Sequence, residues 1–449
     1  MNYIFICVFN QQSYIDLLYL LLESIYIYGK ITINNKILIY TSTPFMNKIK
    51  QSHLFSNYII FEINDSYTCI DSACKSRLDV FELESVSKCD KILYLDTDII
   101  IKGNINKLFD NCSDDLIYVL EEGDITDSND YYGKSLFMDE VNNYEDKTAF
   151  SSGIILFNNC DKVKELFIKI KEHICISLHT FYDQPYFVYN AFKYNLYNNK
   201  LLKEYAVSND ANIHSNKIIH HFCGGPGIST HKIVNMSIFL YNIKEFTISN
   251  NIEDAKQYIN KNLLNIINDI GEPLEGNIFM KHHTVSFSDA FLNKTKNISN
   301  IVLNKNIKDV MEIGFNAGFS TLLMLLSNND IHVTCFDLGE HKYTIPCYNK
   351  LKETFGDRIS LILGDSTKTL KTHSDKYEVI HIDGGHTIEI AESDIKNSYR
   401  LSNEKTIIIM DDYDFPNLHT LWDKYIDTYN LKKLNIGVYD SPHHDIKYV

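Results

Sequence analysis

The stretch ILYLDTDIII, residues 92–101, places two carboxylates between two apolar runs. Its first residues are typical of a buried β-strand, and Asp96 and Asp98 follow where that strand ends. Side chains two residues apart in an extended chain point to the same side, so both carboxylates face the space beyond the strand. Such a pair suits a divalent cation, Mn²⁺ or Mg²⁺. The alternative, a solvated turn, is disfavoured because the residues on both sides are apolar.

Two further groups in the first half support a metal and ligand site. His220 and His221 lie in the stretch IIHHFCGG, and a neutral imidazole there could complete the shell of a metal, although histidine pairs are more often structural. Asp183 and Gln184 begin a predicted helix. They are either a helix cap and nothing more, or groups that hold hydroxyls of a ligand beside the metal.

A second informative stretch is DVMEIGFNAGFSTLLML, residues 309–325. An apolar strand ends in Glu312, and Gly314 and Gly318 then bracket a turn that opens a helix. Glycines at the carboxyl end of a first parallel strand let the backbone approach a ligand, although a tight turn alone would also explain them.

The next two predicted strands end in acidic residues as well. Asp337 closes the strand HVTCFD, where a carboxylate can bind both hydroxyls of a ribose. Asp365 follows the third strand and is suited to contact an adenine edge. Three successive strand ends with such groups indicate a ligand of the nucleoside type.

Three more carboxylates end the following two strands. Asp383 lies in HIDGGH, and Asp411 and Asp412 lie in IIIMDDY. They could converge on one cation, since three carboxylates would repel one another unless a metal or protons occupied the site. Exposed loop acids are the alternative.

Composition limits the class of protein. The chain has 449 residues, enough for two or three domains, and a formal net charge of −15, which argues against nucleic-acid and anionic-membrane partners. Its ten cysteines show no C-x-x-C pair, a pattern typical of reduced intracellular thiols. The N-terminus reads as a strand rather than a signal peptide, and no apolar run is long enough to span a membrane. We therefore expect a cytoplasmic protein; its oligomeric state is not predicted.

Both halves alternate short apolar runs with amphipathic segments, the pattern of α/β sheets. In the first half we predict strands at 3–9, 37–41, 58–63, 92–95, 116–120 and 154–157, and helices at 14–28, 72–87, 162–177 and 183–192. In the second half we predict a helix at 287–303 and strands at 310–313, 332–337, 359–363, 379–383 and 406–410. The strand signal fades in between, which predicts domains at 1–235 and 280–449 joined by a helical connector at 236–279.

Residues 1–235 resemble the retaining GT-A glycosyltransferases of family eight, which include glycogenin and lipopolysaccharide galactosyltransferases. The matching pieces, in order along the chain, are FNQQSY, CKSRLDVFELESVSKCDKILYLDTD, SSGIILFN, YDQPYF and HHFCGG. The resemblance implies a GT-A nucleotide-diphospho-sugar transferase fold. It also implies a nucleotide-sugar donor, commonly UDP-linked, transferred with retention of configuration to a glycan acceptor.

Carried over by residue, this resemblance implies a Mn²⁺ site and a donor site. The metal ligands would be Asp96, Asp98 and His221; Tyr14 would face the base, Arg77 or Lys75 the donor, and Asp183 and Gln184 the sugar near the reacting carbon. Two departures stand out. Gln12 replaces the usual aspartate near the base, and the lysine expected soon after H-x-x-G is displaced by residues 225–231 to Lys232.

Residues 280–449 resemble class I methyltransferases, and more narrowly the metal-dependent sugar O-methyltransferases of the methyltransferase-24 type. The match rests on EIGFNAGFS, HIDGGH and DDY, with Asn316 at the position of the usual middle glycine. It implies a Rossmann-like fold that binds S-adenosylmethionine and Mg²⁺, with His386 as a candidate base. The implied cofactor contacts are Glu312, Gly314, Gly318, Asp337 and Asp365, and the implied Mg²⁺ ligands are Asp383, Asp411 and Asp412.

The sequence thus predicts a bifunctional enzyme that transfers a sugar and O-methylates a glycan hydroxyl. One alternative is an active methyltransferase beside a degenerate, sugar-binding first domain, which the displaced lysine would favour. Another is a nucleotide-sensing or scaffold protein, which would bind ligands without turnover; the metal carboxylates in both halves count against it.

Overall fold

The computed structural model describes residues 1–224, 229–304, 306–434 and 439–449. These residues form two compact units, 1–243 and 244–449. The division falls inside a long helix, within the segment 236–279 that the sequence assigns to a connector. The boundaries at 235 and 280 stay predictions.

Unit 1 is a mixed α/β unit. Its strands are β1 (Asn2–Val8), β2 (Asn35–Thr41), β3 (Ile59–Ile63), β4 (Lys91–Leu95), β5 (Ile99–Ile101), β6 (Ile117–Asp124), β7 (Thr148–Asn158), β8 (Tyr197–Asn198), β9 (Ala206–Ser208) and β10 (Ile219–His221). Its helices are α1 (Gln12–Tyr28), α2 (Thr43–Gln51), α3 (Ile70–Ala73), α4 (Asn106–Asn111), α5 (Lys134–Phe137), α6 (Asp161–Ile176), α7 (Gln184–Tyr194), α8 (Leu201–Tyr205) and α9 (Ser229–Tyr258), which continues beyond the division.

The main sheet of unit 1 has seven strands in the order β3-β2-β1-β4-β7-β6-β8. Strands β3, β2, β1 and β4 are parallel, so their carboxyl ends share one edge, and β7 runs antiparallel to β4. Phe5 of β1 packs in the same core as residues of α6 and α7, whereas Ile4 and Ile6 pack in the core that contains α1. A small second sheet, β5-β10-β9, lies where the chain continues from β4.

The predicted helix at 72–87 is wrong. The chain instead forms the short α3 and two 3₁₀ helices, Ser76–Glu82 and Glu84–Lys88, separated by an extended Leu83. Tertiary contacts explain the difference, because they override a modest helix propensity. Asp79 accepts a hydrogen bond from the Tyr40 hydroxyl (3.0 Å) and pairs with Lys171 (2.7 Å).

Unit 2 contains the remaining elements. Its strands are β11 (Asp309–Ile313), β12 (His332–Asp337), β13 (Ile359–Leu363), β14 (Tyr377–Ile382), β15 (Ser402–Asp411), β16 (Lys432–Lys433) and β17 (His444–Tyr448). Its helices are α10 (Leu264–Ile270), α11 (Leu292–Val302), α12 (Phe319–Ser327), α13 (Thr344–Phe355), α14 (Ser366–Thr372), α15 (Ile388–Arg400) and α16 (Pro416–Tyr429).

The sheet of unit 2 is doubly wound, with the order β13-β12-β11-β14-β15-β17-β16. The first five strands are parallel and β17 is antiparallel to β15. Ligands of such sheets bind beyond the carboxyl ends of the strands, on either side of the point where the strand order reverses, which here is β11 and β14. The predicted α/β class and the predicted main strands of both halves are confirmed.

All ten cysteines are free thiols in the structure. Among the described residues, no helix has the length and apolar character needed to cross a membrane.

Gly314, directly after β11, is required by its surroundings. Its φ is +94°, and an added Cβ would lie 1.9 Å from the carbonyl oxygen of Asp383. We expect Gly314→Ala to destabilise the protein by about 2–5 kcal/mol, from backbone strain and overpacking together. Urea-induced unfolding of the full chain measures the loss.

Gly271 provides the matched control, since its φ is +73° and an added Cβ there would meet nothing within 4 Å. Gly271→Ala should cost only the strain, about 1–2 kcal/mol. Equal losses for the two variants would contradict the steric argument.

Candidate functional site

In unit 1 the residues Asp96-Thr97-Asp98 connect β4 to β5, and neighbouring strands hold this connection in place. The backbone N–H of Asp96 donates to the carbonyl oxygen of Gly153 in β7 (2.8 Å), and the N–H of Phe222 donates to the carbonyl oxygen of Asp98 (2.8 Å). Asp98 is buried, whereas the side chain of Asp96 keeps 31% of its surface exposed. One carboxylate is thus enclosed and the other stays accessible.

The two histidines of β10 have different roles. Nε2 of His221 lies 3.3 Å from Oδ1 of Asp98, and one donor atom each from Asp96, Asp98 and His221 lie within 4.8 Å of one another. His220 points the other way, where Nδ1 contacts the carbonyl oxygen of Asp210 (2.7 Å) and the ring packs on Phe239. The structure therefore brings the predicted trio together and leaves His220 in the core.

Gly153 of β7 keeps space open between the predicted ligands. An added Cβ would lie 2.8 Å from Nε2 of His221 and 3.0 Å from Oδ2 of Asp96. Any other residue would fill the gap where a shared cation would bind. The motif SSGIILFN contains this glycine, but the sequence alone gave no sign of this role.

Lys232 lies in the same site. Its Nζ is 2.5 Å from Oδ2 of Asp98, and its side chain keeps 17% of its surface exposed. Burial opposes the charge on Lys232, but Asp98 and Asp96 outweigh it and raise the pKa of this lysine. Burial likewise opposes ionisation of Asp98, yet His221 and Lys232 lower its pKa. The displaced lysine is thus present in the site; residues 225–228 of the loop before it lie outside the described residues.

Arg77 connects the carboxylates on the other side of the site. Nε lies 2.8 Å from Oδ2 of Asp183, Nη1 lies 3.5 Å from Oδ1 of Asp96, and the guanidinium lies over the ring of Tyr94, 4.6 Å from its centroid. Burial opposes the charge on Arg77, but Asp183 and Asp96 outweigh it and raise its pKa. Burial raises the pKa of Asp183 to about 6, although Arg77 acts in the opposite direction.

Asp183 and Gln184 are placed differently from the predicted sugar contacts. Only 4% of the Asp183 side chain is exposed, and it lies against Arg77. The Gln184 amide accepts the Ser152 N–H (3.2 Å) and donates to the Tyr131 carbonyl oxygen (3.2 Å). In this structure both residues fix groups that surround the site: Asp183 fixes Arg77, and Gln184 fixes the backbone at Ser152 and Tyr131. Lys75 and Gln12 are not among the cavity-lining residues.

A cavity of about 230 Å³ adjoins these groups. Tyr14 lines it, as predicted for a residue near the donor base. The other lining residues of the described chain include carboxylates, cations, thiols and aromatic rings: Cys7, Phe9, Asn10, Leu17, Ile70, Ala73, Cys74, Ser76, Arg77, Tyr94, Asp96, Thr97, Asp98, Tyr182, Gly224 and Lys232.

The donor set of unit 1 fits a divalent cation. Two carboxylates and one imidazole are hard and intermediate donors, a combination that suits Mn²⁺. Gly153 leaves room between them, and Asp96 faces the cavity. A cation there would carry charge next to whatever the cavity holds.

In unit 2 four of the predicted cofactor residues, Gly314, Gly318, Asp337 and Asp365, lie at or after the carboxyl ends of β11 to β13. Oδ2 of Asp337 accepts the N–H groups of Phe315 and Asn316, each at 2.8 Å, and Oδ1 accepts the N–H of Gly339 (2.7 Å). Asp337 thereby fixes the loop after β11. Gly318, with φ +75°, precedes α12 and would place a Cβ 2.4 Å from Phe315.

Asp365 caps the N-terminus of α14. Its Oδ1 accepts the N–H (2.9 Å) and hydroxyl (2.6 Å) of Thr367, and its Oδ2 lies 3.2 Å from Nζ of Lys368. These bonds, led by the Thr367 hydroxyl, lower its pKa. The carboxylate is only half-buried, so it stays accessible at the strand end where an adenine contact was predicted.

Glu312 is not placed at a strand end open to a cofactor. It is fully buried in β11, accepts a hydrogen bond from the Thr321 hydroxyl and lies 3.0 Å from Nδ1 of His381. The predicted direct contact with a cofactor is not available to it in this arrangement. Its carboxylate instead orients His381.

His381 continues a buried chain of charges that sequence reasoning missed. Its Nε2 lies 3.3 Å from Oδ2 of Asp411, and neither side chain has exposed surface. Burial opposes the charge on His381, but Asp411 and Glu312 outweigh it and raise its pKa to about 10. His381 lies in β14 and Asp383 directly follows this strand, two residues further on, a spacing that could have indicated a shared side.

Lys294 of α11 is the second group that was missed. Its ammonium forms an ion pair with Oδ2 of Asp411, and 7% of its side chain is exposed. Burial opposes ionisation of Asp411, but Lys294 and His381 outweigh it and lower its pKa. Burial and Asp411 raise the pKa of Asp383 well above its usual value. No motif marks Lys294, since it lies on a helix far upstream.

The three predicted Mg²⁺ ligands are not presented together. Asp412 adopts φ +53° and its Oδ2 lies 2.7 Å from Nε2 of His386, and it is not part of the group that His381, Asp383 and Asp411 form within 4.8 Å. Mg²⁺ prefers an octahedron of oxygens, whereas this group contains an imidazole and a lysine ammonium pairs with one of its two carboxylates. The residues do not fit the predicted Mg²⁺ site.

Comparison with known proteins agrees with this description of unit 2. Residues 311–413 match the methyltransferase-24 family, described as a methyltransferase domain. The match confirms the predicted resemblance and implies S-adenosylmethionine as cofactor. The match begins at residue 311, so it includes Asp383, Asp411 and Asp412 but not Lys294. No curated protein matches the chain.

Solved structures similar to this chain include proteins of both predicted types. WbbM, a bifunctional glycosyltransferase, is 16% identical over 54% of this chain and 51% of its own, with a TM-score of 0.39. The galactosyltransferase LgtC, solved with donor and acceptor sugar analogues, is 13% identical over 54% of this chain and 96% of its own, with a TM-score of 0.36. A methyltransferase of Podospora anserina bound to S-adenosylhomocysteine is 16% identical over 36% of this chain and 79% of its own, with a TM-score of 0.29. The chain thus spans about half the length of WbbM.

Arg77 should be essential to the stability of unit 1, because it neutralises a buried carboxylate. Arg77→Met leaves Asp183 buried without its partner and should cost about 3–5 kcal/mol. The double variant Arg77→Met/Asp183→Asn removes both charges and should recover most of that loss. Urea unfolding of the full chain measures both.

The exposed pair Lys203–Glu121 gives the control, since 70% of the lysine side chain is accessible. Lys203→Met should change stability by less than about 1 kcal/mol. A double variant no more stable than Arg77→Met alone would contradict the assignment.

Proposed function

We propose that the chain is a bifunctional transferase: unit 1 transfers a sugar from a nucleotide sugar, and unit 2 methylates a hydroxyl of a sugar or glycan with S-adenosylmethionine. The observation that carries the first activity is the convergence of Asp96, Asp98 and His221 next to a cavity that Asp96, Asp98 and Lys232 line. The family match of residues 311–413 supports the second.

For sugar transfer, Asp96, Asp98 and His221 would hold a Mn²⁺ ion, which would neutralise the diphosphate of the donor. Lys232 supplies a second positive charge beside the same carboxylates, placed to stabilise the leaving nucleoside diphosphate. Tyr14 lines the part of the cavity assigned to the base. Positioning of the acceptor beside the sugar would contribute the rest of the rate enhancement.

Arg77 and Asp183 shape the sugar side of this cavity. Asp183 fixes the guanidinium, and Arg77 reaches both the cavity and Asp96. A buried, well-paired guanidinium keeps one orientation, so hydroxyls of the donor would meet preset hydrogen-bond donors. We assign Arg77 to donor binding and Asp183 to positioning Arg77.

For methyl transfer, Asp337, Asp365 and the loop with Gly314 and Gly318 would hold S-adenosylmethionine at the strand ends. His386 is the proposed base. Its Nε2 contacts Asp412 (2.7 Å), which leaves Nδ1 for the acceptor hydroxyl. The acceptor oxygen would bond to the methyl carbon as the methyl–sulfur bond breaks, the electron pair would stay on sulfur, and the proton would pass to His386.

The alternative of a degenerate first domain loses its main support. It relied on a lysine displaced from the donor site, and Lys232 lies 2.5 Å from Asp98 inside that site. We therefore favour two active units, and propose that methylation acts on the glycan product of the first.

Donor hydrolysis tests the first activity without knowledge of the acceptor. We expect the full chain with Mn²⁺ to release nucleotide from one member of a panel of UDP-, GDP- and dTDP-sugars. Asp96→Asn/Asp98→Asn should lower the rate at least about 100-fold, because the diphosphate loses its counterion. Asp139→Asn/Glu140→Gln, at exposed positions, removes the same charge and should have no effect.

Release from no donor, while S-adenosylmethionine still binds by calorimetry, would contradict the transferase assignment of unit 1. It would support the degenerate domain instead. Failure to bind S-adenosylmethionine would contradict the assignment of unit 2.

Gly153→Ala tests the proposed Mn²⁺ position independently of turnover. The added methyl group would occupy the gap between His221 and Asp96, so Mn²⁺ affinity should fall at least about 10–100-fold. Gly224→Ala is the control, because it also lines the cavity but its Cβ would come no closer than 3.5 Å to Lys232. Unchanged Mn²⁺ binding by Gly153→Ala would place the metal elsewhere.

A further inference from the structure

We propose that the carboxylate cluster of unit 2 works without a divalent cation, because the ammonium of Lys294 supplies the positive charge that a metal would otherwise provide. This inference rests on the proposed methyl transfer for its functional meaning. It rests on the contacts of Lys294, His381 and Asp411 for its structural basis.

Both oxygens of the Asp411 carboxylate contact protein groups. Oδ2 pairs with the Lys294 ammonium and lies 3.3 Å from Nε2 of His381. Oδ1 accepts the N–H of Asp412 (2.9 Å). A cation would have to displace Lys294 or His381 in order to bind this carboxylate.

Burial makes that displacement unfavourable. The Lys294 side chain is 7% exposed and that of Asp411 is 0% exposed. A lysine ammonium removed from its buried counterion keeps the desolvation penalty and loses the attraction that offsets it. The pair is therefore a fixed part of the unit rather than a surface contact that a metal could replace.

The other two carboxylates of the predicted trio, Asp383 and Asp412, form no alternative metal site with each other in the described structure. Asp412 is directed to His386 by its left-handed backbone and its 2.7 Å contact. Asp383 is then the one carboxylate of the predicted trio without such a partner among the described residues. A single carboxylate is a weak ligand for a hard divalent cation, which needs several oxygens.

In unit 1 the lysine–aspartate pair is less enclosed than Lys294–Asp411. Lys232 keeps 17% of its side chain exposed beside the cavity and its partner Asp98 keeps 9%, while the neighbouring Asp96 keeps 31% and Gly153 leaves a gap beside the donors. Lys232 can move onto a phosphate while a metal takes the carboxylates. Lys294 lacks this freedom, so we assign the two clusters different chemistry.

The inference narrows the class of acceptor. A metal at this position would orient a vicinal diol by binding both oxygens. With a fixed ammonium instead, a single hydroxyl near His386 suffices. We therefore expect acceptors without a second neighbouring hydroxyl to be methylated.

Mn²⁺ titration of the full chain, followed by the electron paramagnetic resonance of free Mn²⁺, tests the proposal. The wild type should bind one ion, and Asp96→Asn/Asp98→Asn should bind none. A site that persists in this variant and is lost on adding Asp411→Asn would overturn the proposal. Binding of S-adenosylmethionine is measured in parallel, and its absence would count against the proposed methyltransferase and not against this inference.

A second variant tests Lys294 itself. In the Asp96→Asn/Asp98→Asn background, which should bind no Mn²⁺, Lys294→Met should create a measurable Mn²⁺ site by freeing Asp411, whereas Lys294→Arg should not. Retained S-adenosylmethionine binding shows that unit 2 is folded. No gain in a folded Lys294→Met variant would overturn the role of the ammonium; if that variant does not fold, the titration of Asp96→Asn/Asp98→Asn decides.

Discussion

A carboxylate at the carboxyl end of a buried strand needs a positive partner, and this requirement organises both units. Asp98 after β4 and Asp411 at the end of β15 are each buried against a lysine and a histidine. Without those partners the desolvation cost would neutralise the carboxylates or open the strand ends. Helix α11 supplies one of these partners, Lys294, and strand β10 supplies another, His221.

The carboxylates and their positive partners are more exposed to solvent in unit 1 than in unit 2. In unit 1, Arg77 and Lys232 reach the carboxylates from the walls of a cavity, and Asp96 remains partly exposed. In unit 2, Glu312, His381, Asp411 and Lys294 form a chain that excludes solvent. Under the proposed function, the first arrangement would exchange its cations for a metal and a phosphate. The second would keep its own charges and leave Asp383 and the His386–Asp412 pair for the acceptor.

Local sequence patterns predicted the parts of the fold that local patterns determine. The strands at 332–337 and 359–363 match β12 and β13 to the residue, because period and turn signals coincide there. The helix at 72–87 failed, since Arg77 and Asp79 are drawn to partners distant in sequence. Short strands such as β5 and β10 are defined by their pairing with each other, and three residues are too few to show a strand pattern in the sequence.

The residues of the candidate sites likewise fall into those that local sequence patterns predict and those that depend on neighbours distant in sequence. Asp96, Asp98 and His221 were predicted as a group, and the structure brings them together. Asp411 and Asp412 were expected on one cation, but Asp412 adopts a positive φ and contacts His386, and no local sequence pattern indicated that contact. Lys294 and Gly153 were missed because their roles depend on neighbours in space: one is a helix lysine, the other a strand glycine.

The measurement that tests this account most directly is a crystal structure grown with Mn²⁺ and analysed by anomalous scattering. The account predicts one peak in each chain, between Asp96, Asp98 and His221, and a Lys294 ammonium still paired with Asp411. A peak at Asp411 with Lys294 displaced, or the absence of a peak beside Asp96, would contradict it.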